Sequence, residues 1–296
     1  MSRPNFFIVG APKCGTTAWY EYLRSHPDIY LPAAKEPHYF CTDLPGFRWV
    51  QSESRYLELF APAHSARAVG EASVQYLYST QAAINIAAFD PRAKILIFLR
   101  QPAPFLHAYH QQLLRNLDED VTDFARAWRL CAAPGARTVP RTCREPRLLD
   151  YRAAARFSEQ VARYLRVFSP AQVMLVEFEQ WTRQPRATYL EVLAFLGVAD
   201  DGRREFPRIN AARSLASTRV ARFTQRPPDW ALALARALRT ALGRERLGAA
   251  RLLQRANSRP APASAMPAEL EAEIEAYFRE DQRALATQRA LLANTR

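Results

Sequence analysis
Lys13 stands three residues after Gly10 and two before Gly15, and two hydroxyl residues, Thr16 and Thr17, follow at once. A cation, two hydroxyls and a glycine-containing loop are what the binding of a phosphate-like anion requires. Backbone N–H groups converge where such a loop enters a helix, and the helix dipole adds partial positive charge there. The flanking residues supply the elements that would position this chemistry. Phe6 to Val9 are apolar and β-prone, which predicts a buried strand, and Gly10 and Pro12 break it. From Thr17 onward Ala18, Trp19, Tyr22 and Leu23 recur at helical spacing. Cys14 and Gly15 complete the loop between strand and helix. The stretch therefore reads as strand, tight loop and helix, with an anion as its ligand.

Two more segments offer chemistry. In Lys35-Glu36-Pro37-His38-Tyr39-Phe40, Glu36 is a carboxylate able to take a proton from an attacking hydroxyl. His38 would share a face with Glu36 if the segment were extended, and it is either a second base or a packed, hydrogen-bonded side chain. Lys94-Ile95-Leu96-Ile97-Phe98-Leu99-Arg100 is a continuous apolar run, as expected of a central parallel strand covered on both faces. Its terminal Arg100 falls where open α/β sheets bind ligands. A Walker A loop, G-x-x-x-x-G-K-[ST], has its lysine directly after the second glycine. Here Thr16 occupies that position and the lysine is Lys13.

Taken together, the loop around Lys13-Cys14-Gly15-Thr16-Thr17, the Lys35-Glu36-Pro37 run, Gly70-Glu71-Ala72-Ser73-Val74-Gln75-Tyr76 and Arg100-Gln101-Pro102 occur in the order seen in one family. They resemble the motifs of sulfotransferases that use 3′-phosphoadenosine 5′-phosphosulfate (PAPS), in particular the heparan-sulfate-type enzymes and related bacterial ones. The resemblance implies an α/β fold with a P-loop-like central parallel sheet flanked by helices, followed by a helical C-terminal region. It implies sulfuryl transfer from PAPS to a hydroxyl of a carbohydrate, lipid or small natural product. By the same resemblance Lys13, Cys14, Gly15, Thr16 and Thr17 hold the phosphosulfate and Glu36 is the base. Arg100 holds the 3′-phosphate as a fork-shaped cation on an anion. Arg213, in Asn210-Ala211-Ala212-Arg213, either helps at the phosphate end or is solvated. No metal is implied, because Lys13 takes the charge-neutralising part that Mg²⁺ plays in nucleotide kinases. Two departures stand out: Ala72 where heparan-type enzymes often carry a lysine, and Ala108 where a serine is usual.

The wider sequence agrees with one large α/β domain or two small ones. The 296 residues are read as a single domain, with a core over 1–215, an Arg-rich helical region over 216–265 and a C-terminal helix over 266–296. Although 49% of residues are hydrophobic, no apolar run approaches the roughly 20 residues of a membrane span. With no signal-peptide pattern either, the expectation is a soluble, cytoplasmic protein. The net charge is +12, and 14 arginines against three acids between Arg203 and Arg259 carry nearly all of it. Such a patch suits an anionic partner: a phosphorylated co-substrate, an acidic acceptor, nucleic acid or a membrane surface. Trp230 to Leu253 reads as an amphipathic helical stretch that docks on the core, caps the acceptor cleft or touches a membrane. Ser258 to Pro267 reads as a linker. Cys14, Cys41, Cys131 and Cys143 have neither C-x-x-C nor zinc spacing, so free thiols are expected, with Cys14 either a small loop residue or a thiol acidified by the helix N-terminus. Long helices are expected over Tyr151 to Phe168 and Met266 to Leu292. Two other function classes fit parts of the pattern. One is a nucleotide kinase or NTPase, which the displaced lysine disfavours. The other is a basic nucleic-acid-binding module, which the absence of aromatic and zinc patterns disfavours.

Overall fold
The computed structural model describes residues 2–64, 66–133, 135, 137–209, 213–215, 218–225, 253, 257–260 and 266–295. They fall into two compact units. The first comprises Met1–Leu106, Asp150–Ile209 and Ala268–Arg296, and the second His107–Leu149 with the described residues of Asn210–Pro267.

The first unit is built on a five-stranded parallel sheet of β1 (Phe6–Gly10), β2 (Ile29–Tyr30), β3 (Ala68–Ala72), β4 (Lys94–Leu99) and β5 (Val173–Glu177), in the order β2-β3-β1-β4-β5. β1 and β3 are buried along their whole length and β4 along all but Lys94. That burial is why their sequences are nearly uninterrupted apolar runs rather than alternating ones. The register places Phe6 opposite Gly70, where a Cβ would sit 2.1 Å from the Phe6 ring, so only glycine leaves room for that ring. β2 and β3 lie on one side of β1, and β4 and β5 on the other. The strand order thus turns at β1, and the crevice beyond the strand ends at such a point is where open α/β sheets take ligands.

Helices of this unit are α1 (Thr16–Arg24), α2 (Glu53–Glu58), α3 (Ala82–Phe89), the start of α4 (Pro102–Arg115), α6 (Tyr151–Ala154), α7 (Phe157–Leu165), α8 (Phe178–Arg183) and α9 (Pro185–Leu196). The C-terminal α11 (Ala268–Tyr277) and α12 (Arg279–Ala293) also belong to it. Trp19 of α1 is fully buried against Phe98, Trp181 and Tyr189, which fastens α1 to β4, α8 and α9. Two expected long helices are each broken. The Tyr151 helix stops after Ala154 because the Gln160 side chain donates to the Ala153 and Ala154 carbonyls at 3.0 and 3.1 Å, satisfying groups that a continuous helix would have paired itself. The C-terminal helix turns at Phe278, which is buried there. α12 is held to α7 by Asp281, which accepts from the Ser158 N–H at 3.1 Å, and to β5 by an Arg289–Glu177 ion pair at 2.7 Å.

The second unit contains the rest of α4, α5 (Phe124–Leu130), and a ribbon in which β6 (Arg213–Leu215) pairs antiparallel with β7 (Ser258–Pro260), with α10 (Thr218–Gln225) between them in sequence. Two ion pairs, Arg144–Asp118 at 2.5 Å and Arg137–Glu119, tie down the Pro- and Arg-rich stretch before Pro146. The start of the expected linker at Ser258 is therefore a strand, and Arg213 lies in a strand rather than a loop. The Arg-rich stretch expected to be helical from Trp230 lies outside the described residues, Leu253 apart. Among the described residues no helix is long and apolar enough to cross a membrane.

Candidate active site
All five strands of the sheet deliver candidate residues from their C-terminal ends. Lys13 to Thr17 follow β1, Lys35 to His38 follow β2, Glu71 and Ser73 end β3, Arg100 follows β4, and Glu179 follows β5. The loop after β1 turns into α1 through Gly15, whose φ is 84°. A Cβ at Gly15 would lie 2.3 Å from the Trp181 ring, so both conformation and space demand glycine. Three of the four described non-glycine residues with positive φ are candidate site residues: Lys13 at 63°, Glu36 at 64° and His38 at 51°. Such conformations persist only where surrounding contacts over-determine them, and they concentrate at functional sites.

Lys35 joins two of the segments. Its Nζ donates to Thr17 Oγ1 at 2.9 Å and pairs with Glu36 Oε1 at 3.2 Å. A hydroxyl in the first turn of α1 and the candidate base are thereby bridged by one ammonium. The Glu36 backbone is pinned on both sides: its N–H donates to the Ala72 carbonyl at 3.0 Å, and its carbonyl accepts from Trp49 Nε1 at 2.6 Å. The Trp49 ring, 55% exposed, is the most exposed large apolar side chain among the described residues. Ala72, at the end of β3, contributes the carbonyl that holds the Glu36 N–H.

On the opposite side of β1, the Arg100 guanidinium lies 4.4 Å from the Phe178 ring centre, and its Nε is 4.0 Å from Glu179 Oε1. Glu179 also accepts from the Gln101 N–H at 3.3 Å. Arg100 Nε is buried and has no hydrogen-bond partner. Cys14 is buried and donates to the Pro12 carbonyl at 3.4 Å. Burial pushes its thiol up, against the opposing pull of the Arg100 and Lys13 cations. It is a neutral loop residue, and the helix N-terminus does not make it an acidic thiol.

The segment after β2 is not extended, since Glu36 and His38 both have left-handed backbones, so the shared-face expectation for these two residues fails. The His38 ring is buried edge-on against Phe47 and Tyr76, as a packed histidine is. The backbone N–H of His38 donates to Ser73 Oγ at 3.0 Å. Glu71 is 1% exposed and accepts from Tyr56 OH at 2.7 Å, from Tyr76 OH at 3.0 Å and from Ser73 Oγ. Burial raises its carboxyl to about 7 against the opposing effect of these hydrogen bonds. Motif reading gave no role to Lys35 or to the hydroxyls around Glu71, although Lys35, Ser73 and Tyr76 lie within the motif segments. Lys35 carried a signal in its place beside Glu36, whereas Tyr56 carried none, because only the fold brings it to Glu71. Arg213 belongs to the second unit and His107 and His110 to its α4 segment, where buried His110 makes a 2.8 Å hydrogen bond with the Val121 carbonyl. Among the described residues no group of three or more His, Cys, Asp or Glu side chains could hold a metal ion.

Chemically, the arrangement can receive an anion: Lys13 stands in the loop after β1 and Arg100 at the end of β4, and Lys35 bridges the Glu36 carboxylate to the Thr17 hydroxyl. Comparison with known proteins gives the same direction. The family model described as "Sulfotransferase domain" matches residues 3–226. A solved structure of a sulfotransferase from Alicyclobacillus acidocaldarius is 33% identical, with a TM-score of 0.62, covering 85% of this chain and 100% of that one. Carbohydrate sulfotransferase 15 of Rattus norvegicus is 26% identical over 282 residues, covering 77% of this chain and 48% of that protein. The bifunctional heparan sulfate N-deacetylase/N-sulfotransferase 4 of Mus musculus is 27% identical over 209 residues, covering 66% of this chain and 22% of that protein. The chain thus spans about half or less of the length of these two curated relatives. With a family match running from before β1 through α10 and a full-length structural counterpart, the chain belongs to the sulfotransferase domain family.

Proposed function
We propose that this protein transfers a sulfuryl group from PAPS to an acceptor hydroxyl. The observation that carries this reading is the Lys35 bridge between Thr17 and Glu36, which sets the candidate donor loop beside the candidate base. Loop N–H groups with Thr16 and Thr17 hold the phosphosulfate. Lys13 neutralises charge on the 5′-phosphate side and on the group in transfer. Arg100, whose buried Nε has no hydrogen-bond partner, takes the 3′-phosphate. Glu36 accepts the proton of the attacking hydroxyl, and Lys35 holds its carboxylate in place. PAPS supplies the activated sulfuryl group, and fixed cations and dipoles aimed at the developing charge account for most of the acceleration. The parts of Cys14 and Gly15 are to line the loop, as a small neutral side chain and as a left-handed turn. Arg213 and His38 are weaker candidates for the phosphate end and for proton transfer. The whole chain works as one sulfotransferase domain, a reading supported by a family match that runs through parts of both units. The names of the curated relatives make carbohydrates the first acceptors to test, ahead of lipids and small natural products.

The test is calorimetric titration of 3′,5′-adenosine bisphosphate, the desulfated donor. Wild type binds it without added metal. Lys13→Ala and Arg100→Ala each raise Kd by about 10–100-fold, as expected for losing a charged hydrogen bond of about 1.5–3 kcal/mol. A wild-type protein that ignores the bisphosphate but binds ATP with Mg²⁺, or binds oligonucleotides, overturns the reading.

A further inference from the structure
The Glu71 carboxylate is buried at the end of β3, and no cation pairs with it among the described residues. Its three hydrogen-bond partners are all hydroxyls: Tyr56, Ser73 and Tyr76. Two of these hydroxyls have a second contact. Ser73 Oγ accepts from the His38 N–H at 3.0 Å, and Tyr76 OH accepts from the Phe40 N–H at 3.2 Å. A hydroxyl has one proton and two lone pairs. When the Ser73 and Tyr76 protons both point at Glu71, their lone pairs are left facing the two backbone donors. These donors lie in the segment whose left-handed Glu36 and His38 need outside support.

We propose that Glu71 is a positioning residue for the transfer reaction: its carboxylate orients the Ser73 and Tyr76 hydroxyls, which hold the His38 and Phe40 N–H groups and so fix the segment that presents Glu36. The proposal rests on the reading of Glu36 as the base. Ionised Glu71 accepts from all three hydroxyls. A proton on Glu71 belongs on Oε1, which receives one hydroxyl, rather than on Oε2, which receives two. There it competes with the Ser73 proton for the same space and turns that hydroxyl, disturbing its contact with the His38 N–H. Since burial places the Glu71 carboxyl at about 7, this change falls near neutral pH. The other titratable groups around Glu71 and its hydroxyl partners are Tyr56 on α2, Tyr76 and Cys41 in the loops, Tyr164 on α7, Glu36, and His38, whose ring packs on Tyr76. Burial pushes Tyr56, Tyr76, Tyr164 and Cys41 upward, so these four stay neutral across that range.

The experiment pairs kinetics with hydrogen exchange. In Glu71→Gln an amide donor replaces one acceptor oxygen, so at least one hydroxyl must reverse. The variant keeps its affinity for 3′,5′-adenosine bisphosphate and its KM for PAPS. Its kcat falls by about 10–100-fold, the usual effect of removing a partner that orients a functional group. Wild-type kcat declines as pH drops through about 7, and Glu71→Gln lacks that limb. Deuterium exchange over residues 36–41 quickens in Glu71→Gln while exchange in β1 and β4 stays as in wild type. Ser73→Ala and Tyr76→Phe, which keep Glu71, quicken exchange at His38 and at Phe40 respectively, and they decide the matter if Glu71→Gln does not fold. Unchanged exchange over 36–41 in these variants, or a Glu71→Gln enzyme that keeps both kcat and the pH 7 limb, overturns the proposal. Exchange needs no turnover. A failure of the sulfotransferase reading, seen as wild type not binding the bisphosphate, is therefore distinguishable from a failure of this one.

Discussion

Lys35 shows how much a single side chain settles. Its ammonium touches a hydroxyl in the first turn of α1 and a carboxylate in the segment after β2, and so fixes which carboxylate stands beside the proposed donor loop. Glu36, not His38, is the group on that bridge, while the buried His38 ring is committed to packing against Phe47 and Tyr76. The residue-scale expectation follows. Glu36→Gln keeps wild-type affinity for 3′,5′-adenosine bisphosphate in calorimetry, because the amide is close in size to the carboxylate and the proposed donor contacts lie elsewhere. Its turnover drops by about 10²–10⁴-fold, the usual contribution of a general base. Retained turnover would assign proton removal to another residue. The Lys35-Glu36 pair was legible in the sequence as a motif. The contact with Thr17 was not, because 18 residues separate the partners and nothing local specifies the approach.

At the scale of elements, the strand–loop–helix unit from β1 to α1 works because its backbone is committed in advance. β1 is buried on both faces, Gly15 turns left-handed, and Trp181 of α8 closes over the turn. Gly15→Ala meets two obstacles. Left-handed backbone at a non-glycine residue costs about 1–3 kcal/mol, and the added methyl must displace the Trp181 ring. Urea unfolding is expected to show a stability loss of at least about 1 kcal/mol, together with weakened bisphosphate binding. An unchanged midpoint and affinity would mean that the loop tolerates another geometry. Strands β1 and β4 were readable because burial on both faces writes an apolar run. The breaks in the Tyr151 and Met266 helices were not readable, because a side chain remote from the hydrophobic pattern, Gln160, takes the carbonyls in one case and burial of Phe278 bends the other.

At the scale of the whole molecule, the first unit is assembled from three separate parts of the chain. Its last part, α11 and α12, buries Leu270, Ile274, Phe278, Leu285 and Leu292. Each such side chain contributes about 1.5–3 kcal/mol when fully buried, so together they weigh on the order of 10 kcal/mol, comparable to the entire stability of a typical domain. Removal of residues 268–296 is therefore expected to abolish cooperative thermal unfolding of the sheet unit, although every candidate site residue would remain in the chain. A truncated protein with a sharp, near-wild-type melting transition would show that these helices are accessory.

The sequence by itself determined the parallel α/β architecture and the positions of Lys13, Thr16, Thr17, Glu36 and Arg100. Their signals are local: buried runs, glycine-marked turns and residues at strand ends. Only the tertiary structure decided which of them meet. The turn of the strand order at β1 gathers five strand ends, Lys35 links α1 to the segment after β2, and the buried Arg100 Nε, ion-paired with Glu179, has no hydrogen-bond partner. It also decided the state of Cys14 and the surroundings of Glu71. Proton affinity and hydrogen-bond partnership depend on burial and on neighbours far away in the chain, which no short motif records.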